Sequence, residues 1–478
     1  MHGLASYYIG LAGIAWFALF IAGLIRPSWF LFFCVSSISL TNFAFFSGEV
    51  STRFAPPDLF FLTLVVITLT RKGILASRPG GIPVFFPRAP SAIFLILLAA
   101  ILLSLSNPSF DRAVLFGEGQ PETVILMMLM FLLLTDYVHT EKDLRHLLAA
   151  WVVAAVIAIL ISIIDMGDTL APHRGVQYDL TGIFGFEDLL SFSRFPHAFL
   201  SPFNFRIQGP FRNPGQLAAF SMTSFFALVA FAVAPKHSRR MKIALWTVAA
   251  ALFMCALLTA RSSIYPSLAI GALLILSYFA IHSKKLFYIS LAFIGLSIGF
   301  LLFASFVSPD IYNQFFTRNI KELGKVIHGT GFLHGQMESG FSAFLSNPLS
   351  GIGFGRYVDS EYQHLIRGYE IHGTVLQFIV ETGIVGILSY FVFIGYFLSR
   401  AVKNYLLSRK TQWRDFHAIL FIGFVSMLPS YLYNRHLRER TFWIYIALIY
   451  LSSRLLAPIQ HKRSPDAANF EMPVKHLP

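Results

Sequence analysis

Four arginines, one histidine and one glutamate combine residue type and setting in a way that could do chemistry: Arg206, Arg212, Arg261, Arg356, His372 and Glu381. Arg206 and Arg212 lie in Phe205-Arg206-Ile207-Gln208-Gly209-Pro210-Phe211-Arg212-Asn213-Pro214-Gly215, directly before an apolar run. Arg261 opens Arg261-Ser262-Ser263 in a tight turn between two apolar runs, and Arg356 closes Gly351-Ile352-Gly353-Phe354-Gly355-Arg356. Guanidinium is planar, always charged and able to grip phosphate through two parallel hydrogen bonds. A lone arginine at a membrane boundary can simply reach for headgroups. Arg206, Arg212 and Arg261, at different boundaries, would together suit a phosphate or diphosphate held at a membrane surface. His372 stands in Glu370-Ile371-His372-Gly373, just before another apolar run. Imidazole titrates near neutral pH and can take a proton from a hydroxyl. A helix N-terminus beside it would disfavour its protonated form. The same histidine would also fit a side chain that only snorkels at a helix end. Glu381 lies inside that run; an ionisable group there is a functional candidate, or a hydrogen-bonding partner for a neighbouring helix.

Other motifs are weaker. Gly351–Gly355 does not fit GxGxxG and joins no strand to a helix, so a dinucleotide site is not expected. His328, His334, His364 and His372 lack a metal-ligand spacing, so no metal is expected. No strand–turn–helix nucleophile elbow is expected. Cys34 and Cys255 sit in apolar runs without a CxxC, so neither a disulfide nor a structural zinc is expected.

The elements that must position these residues are set by composition. Of 478 residues 56% are hydrophobic and only 13% charged, against about 25% charged in soluble domains. Such a chain cannot coat a water-facing surface. A single soluble core stops growing at roughly 250–300 residues, so lipid is the remaining solvent. Apolar runs that could span a bilayer lie near Leu4–Leu24, Trp29–Phe46, Asp58–Thr70, Ser91–Ser106, Glu122–Val138, Leu147–Ile164, Gln216–Ala234, Ile243–Thr259, Ile264–Ile281, Leu286–Val307, Thr374–Leu398, Ala418–Tyr433 and Thr441–Leu456. Met1–Ile25 lacks a basic n-region and a small-residue cleavage site, and reads as a retained helix. The expected fold is an all-α polytopic integral membrane protein of about 12–13 spans. Residues 1–458 would form one transmembrane domain and 459–478 a cytoplasmic tail.

The net charge of +13 reads as the bias that keeps basic loops in the cytoplasm, with membrane lipids as partners and no nucleic acid. The basic links Arg71–Arg88, Lys142–Arg145, Lys236–Lys242, Lys284–Lys285 and Arg400–Arg414 all fall on one side of this map. The C-terminus joins them inside. Two long segments, 165–215 and 308–373, fall outside. Their Phe, Tyr, Gly and Pro content suits a folded cap on the membrane better than a disordered loop. Arg206, Arg212, Arg261, Arg356 and His372 lie at this outer end, and Glu381 lies inside a span.

The chain resembles the O-antigen ligase/polymerase family of bacterial envelope glycosyltransferases. The resemblance rests on Arg206-x-x-Gly209-x-Phe211-x-Asn213-Pro214, Leu258-Thr259-x-Arg261-Ser262, Asn347-Pro348-Leu349-x-Gly351-Ile352-Gly353 and His372-x-x-x-Leu376-Gln377-x-x-x-Glu381-x-Gly383-Ile384-x-Gly386. The family's usual His-Asn pair is His372-Gly373 here, and the arginine–serine turn is shortened. The resemblance implies transfer of glycan from an undecaprenyl-diphosphate carrier to an acceptor hydroxyl, at the periplasmic face of the bacterial inner membrane. It implies an inverting reaction without metal or other cofactor. Arg206 and Arg261 would hold the diphosphate and His372 would act as base. Arg212, Arg356 and Glu381 would contact substrate. The acceptor would be another lipid-linked glycan in a polymerase or lipid A–core in a ligase, and no residue decides between them.

Two readings from other classes stand beside this one. A transporter or lipid-linked glycan flippase needs midplane charges or broken helices in paired halves; here most spans lack charge and only Glu381 favours the idea. A structural scaffold would tolerate loss of His372 or Arg206.

Overall fold

The computed structural model describes residues 18–40, 56–76, 88–105, 121–170, 210–211, 214–259, 264–307, 332–355, 357, 371 and 373–456. Among the described residues every regular element is helical. The helices are α1 (Pro27–Ser36), α2 (Pro56–Ala76), α3 (Arg88–Leu105), α4 (Pro121–Tyr137), α5 (Glu141–Leu170), α6 (Pro214–Val233), α7 (Arg239–Leu258), α8 (Tyr265–His282), α9 (Lys284–Val307), α10 (Phe332–Ser346), α11 (Thr374–Ser408), α12 (Arg414–Tyr433) and α13 (Arg440–Ser452). Each apolar run from Trp29 onward overlaps one of them. α6, α7, α8, α11 and the stretch Glu141–Ile163 of α5 are long and apolar enough to cross a bilayer. α11 continues past the expected end at Leu398 to Ser408. No glycine or proline interrupts Ser399–Ser408, so the helix carries its basic residues beyond the apolar part.

Burial separates a lipid face from a core. Leu95, Leu102, Leu160, Leu273, Ile281, Leu388 and Phe391 are exposed on their helices, a surface that water would not tolerate but acyl chains do. The core is helical too. α13 is buried at every position from Thr441 to Ile449, and α6 almost as completely. Trp443 of α13 meets Phe94 of α3 and Phe393 of α11 at centroid distances of 5.7 and 5.5 Å. Small residues let the inner helices approach: a Cβ on Gly423 of α12 would lie 2.2 Å from Tyr445 Oη and 2.6 Å from Phe226 Cβ. Some buried polar groups pair between helices, which offsets the cost of burying them. Trp151 Nε1 donates to Ser224 Oγ (2.9 Å) and Tyr445 Oη to Leu420 O (2.9 Å).

The basic links meet at one end of the bundle. Lys72 pairs with Asp136 (2.9 Å) and Lys236 with Glu141 (3.3 Å). Arg145 donates to Pro235 O (2.9 Å) and covers the Trp413 ring at 5.6 Å. Arg454 donates to Thr135 O and Val138 O. These contacts join links far apart in sequence, so the shared side read from charge is a shared end in space.

Candidate functional site

The opposite end holds the start of α6, the end of α7, and the starts of α8 and α11, because these helices alternate away from the basic links. Arg206, Arg212, Arg261, Arg356 and His372 lie outside the described residues. Their described neighbours are built into the bundle. Phe211 is buried against Phe220 at 4.9 Å between centroids. Thr259 closes α7, its N–H on Cys255 O (3.1 Å) and its hydroxyl on Ala256 O (2.7 Å). Gly355 and Ile371 belong to the two connections described next.

The first connection repairs a broken helix. α11 is helical except at Gly383, where φ is 64° and ψ −159°. An unbroken α-helix would bond the N–H groups of residues 384 and 385 to the carbonyls of 380 and 381. Here those four groups turn to the segment after α10. Ile352 N–H donates to Val380 O (3.1 Å) and Gly353 N–H to Glu381 O (3.0 Å). Ile384 N–H donates to Pro348 O (2.9 Å) and Val385 N–H to Leu349 O (3.3 Å). Two lost bonds become four between segments, so these four groups of α11 stay paired in an apolar setting. Only glycine allows the contact: a Cβ on Gly351 would lie 2.4 Å from Glu381 C, and one on Gly383 2.5 Å from Leu349 O. The Asn347–Gly353 and Gln377–Gly386 motifs are therefore one interlocked unit. The glycine-rich stretch serves this latch, and a nucleotide would find those N–H groups occupied.

Glu381 sits at the latch and is 3% exposed. Its Oε2 accepts from Gly355 N–H (2.9 Å) and from Gln377 Nε2 (2.6 Å). The carboxylate thus ties the first half of α11 to the backbone immediately before Arg356. Arg438 and Arg435 bring positive charge within electrostatic reach of it.

Those two arginines belong to the second connection, the turn between α12 and α13. Asn434 O accepts from both the N–H (3.2 Å) and the hydroxyl (3.0 Å) of Thr374. Arg435 Nε donates to Ile371 O (2.6 Å). The Thr374 hydroxyl has one proton, committed to Asn434, so at 3.0 Å it accepts from His436 Nδ1–H. His436 Nε2 then accepts from Tyr390 Oη (3.1 Å), and the ring stacks on Tyr431 at 3.7 Å. The backbone on both sides of position 372 is held by this turn. Sequence reasoning passed over it. Its signal is in the sequence: Arg435, Arg438 and Arg440 crowd a short link between two apolar runs.

Burial pushes the His436 imidazole down from its ordinary 6.5 to about 3. Between those values the unfolded chain binds a proton that the folded chain refuses. This contribution to stability is complete above about pH 6.5 and falls by up to ~1.4 kcal/mol per pH unit below it. The thermal midpoint of purified protein is expected to drop between pH 7.5 and pH 5, and His436→Gln to flatten part of that slope. Identical slopes in both proteins would contradict the neutral, buried histidine.

Backbone carbonyls, a buried carboxylate and a cationic turn are thus fixed beside positions 356 and 372. Such a frame can present cations and a base to a substrate at the bundle's end. No protein-family model matches the chain, and no curated protein matches it.

Proposed function

We propose that the protein is a membrane glycosyltransferase that moves glycan from an undecaprenyl-diphosphate donor to an acceptor hydroxyl. It would work at the periplasmic face of a bacterial inner membrane, with its C-terminus in the cytoplasm. His372 takes the proton of the acceptor hydroxyl as its oxygen attacks the anomeric carbon, with inversion. The bond from that carbon to the diphosphate breaks, and its electron pair leaves on the phosphate oxygen. Arg206 and Arg261 neutralise the charge developing there, a preorganised electrostatic role. Arg212 and Arg356 contact phosphate or glycan, and no metal or other cofactor takes part. The acceptor is a second lipid-linked glycan if the enzyme is an O-antigen or exopolysaccharide polymerase, and lipid A–core if it is a ligase.

The observation that carries this reading is the latch. Two segments of the family resemblance, separate in sequence, fit each other through four backbone hydrogen bonds and the Glu381 carboxylate. The topology adds support, since the helix ends flanking the arginine motifs share that end.

The same break favours a second reading. A discontinuous helix with a buried carboxylate also suits a transporter or lipid-linked glycan flippase. Glu381→Gln separates the two. The amide keeps an acceptor for Gly355 N–H, so a transferase is expected to retain part of its turnover. A transport cycle that depends on the charge would stop. Full loss of glycan output in Glu381→Gln, with His372 intact and the protein folded, would favour transport.

A further inference from the structure

α10 has three faces where a helix packed on a soluble protein needs two. At about 100° per residue, Met337, Phe341 and Leu345 share one arc, and all are more than half exposed, at 56%, 59% and 61%. Glu338, Ser342 and Ser346 form the adjoining arc, also exposed. The remaining arc meets protein. Ser339 Oγ and Tyr357 Oη lie 2.5 Å apart, Ala343 is buried with Ile352, Ile371 and Val380, and a Cβ on Gly340 would come within 3.0 Å of Val380 Cγ2.

We infer that α10 lies in the bilayer surface, with its Met337/Phe341/Leu345 arc among the acyl chains of the nearest leaflet and its Glu338/Ser342/Ser346 arc in water. Continuity identifies the occupant as lipid. The apolar arc leads to Leu349, 68% exposed, whose carbonyl accepts from Val385 N–H. Ile384, Val385 and Leu388, on the spanning half of α11, are exposed too. The surface that faces lipid on α11 therefore runs unbroken onto α10. No lysine or arginine occurs between Phe332 and Ser346. Insertion then rests on apolar burial and not on anionic headgroups, and zwitterionic lipid suffices. α10 continues directly into Asn347–Gly355, so its seat in the leaflet fixes the depth of the latch. The inference needs only the membrane-spanning fold and not the transferase reading.

The test uses full-length protein in phosphatidylcholine liposomes, carrying one nitroxide at Phe341→Cys or Leu345→Cys, compared with Ser342→Cys and Ser346→Cys. The native Cys34 and Cys255 are buried. Oxygen, which enters lipid, is expected to relax labels at 341 and 345 several-fold more than a water-soluble nickel chelate does, with the order reversed at 342 and 346. Equal access of the nickel chelate to all four sites would overturn the inference. So would exclusion of both reagents from 341 and 345 with dipolar broadening, which marks a second copy on this face. Met337→Cys reads the same arc should a label at 341 or 345 disturb folding.

Discussion

Replacing Gly383 with valine is expected to abolish function and to lower stability by about 3 kcal/mol or more. The backbone there, φ 64° and ψ −159°, falls in a region that is essentially glycine's alone, and a side chain forced into it costs of order 1–3 kcal/mol. The added Cβ would also meet Leu349 O at 2.5 Å. Either Gly383 relaxes toward helix, which would straighten α11, or the Asn347–Gly355 segment retreats. In both cases the four latch bonds go, each worth about 0.5–1.5 kcal/mol net. Gly395 of the same helix is the control: a Cβ there meets nothing within 4 Å. Gly395→Ala is expected to be neutral or slightly stabilising, because alanine favours a helix interior by about 0.8–1.0 kcal/mol. Thermal midpoints in detergent and glycan output together check this. A wild-type midpoint and output for Gly383→Val would remove the latch from the function.

The second large effect is on turnover. His372→Ala and Arg206→Ala are each expected to lower the rate about 10²–10⁴-fold while protein level and thermal midpoint stay normal. A positioned general base contributes roughly that factor. Loss of one preorganised charge on a developing oxyanion costs about 10²–10³. A structural scaffold would be indifferent to both changes. Wild-type glycan output from both variants would sink the enzyme reading.

How far these features could be read in advance differed by kind. The spans were legible because lipid demands apolar residues in blocks of helical length, so Gln216–Ala234 and Ile264–Ile281 lie almost residue for residue on α6 and α8. The common side of the basic links was legible in the same way. The burial of α13 was not. Its sequence is less apolar than that of α4 or α6, and packing against α4, α6 and α11 makes it central. The break in α11 was hidden because Gly383 sits in an apolar run that reads as one helix. Its φ is imposed by a partner segment distant in sequence. Glu381 reads from the sequence as an ionisable group in a span, a functional candidate or a partner for a neighbouring helix. Its bonds to Gly355 and Gln377, which give it a bracing task, could come only from the fold. The Asn434–Arg440 turn shows in the sequence only as three arginines in a short link; its hold on Ile371 and Thr374 comes from the fold alone.

The most direct test of the proposed transferase activity is reconstitution. Purified protein would be given a defined undecaprenyl-diphosphate oligosaccharide, with and without lipid A–core, in the presence of a chelator. Transfer is the expected result. A ladder of longer lipid-linked products without lipid A would mark a polymerase, and glycan moved only onto lipid A–core a ligase. No transfer to either acceptor by folded wild-type protein would contradict the proposal and leave transport as the better reading of the broken helix.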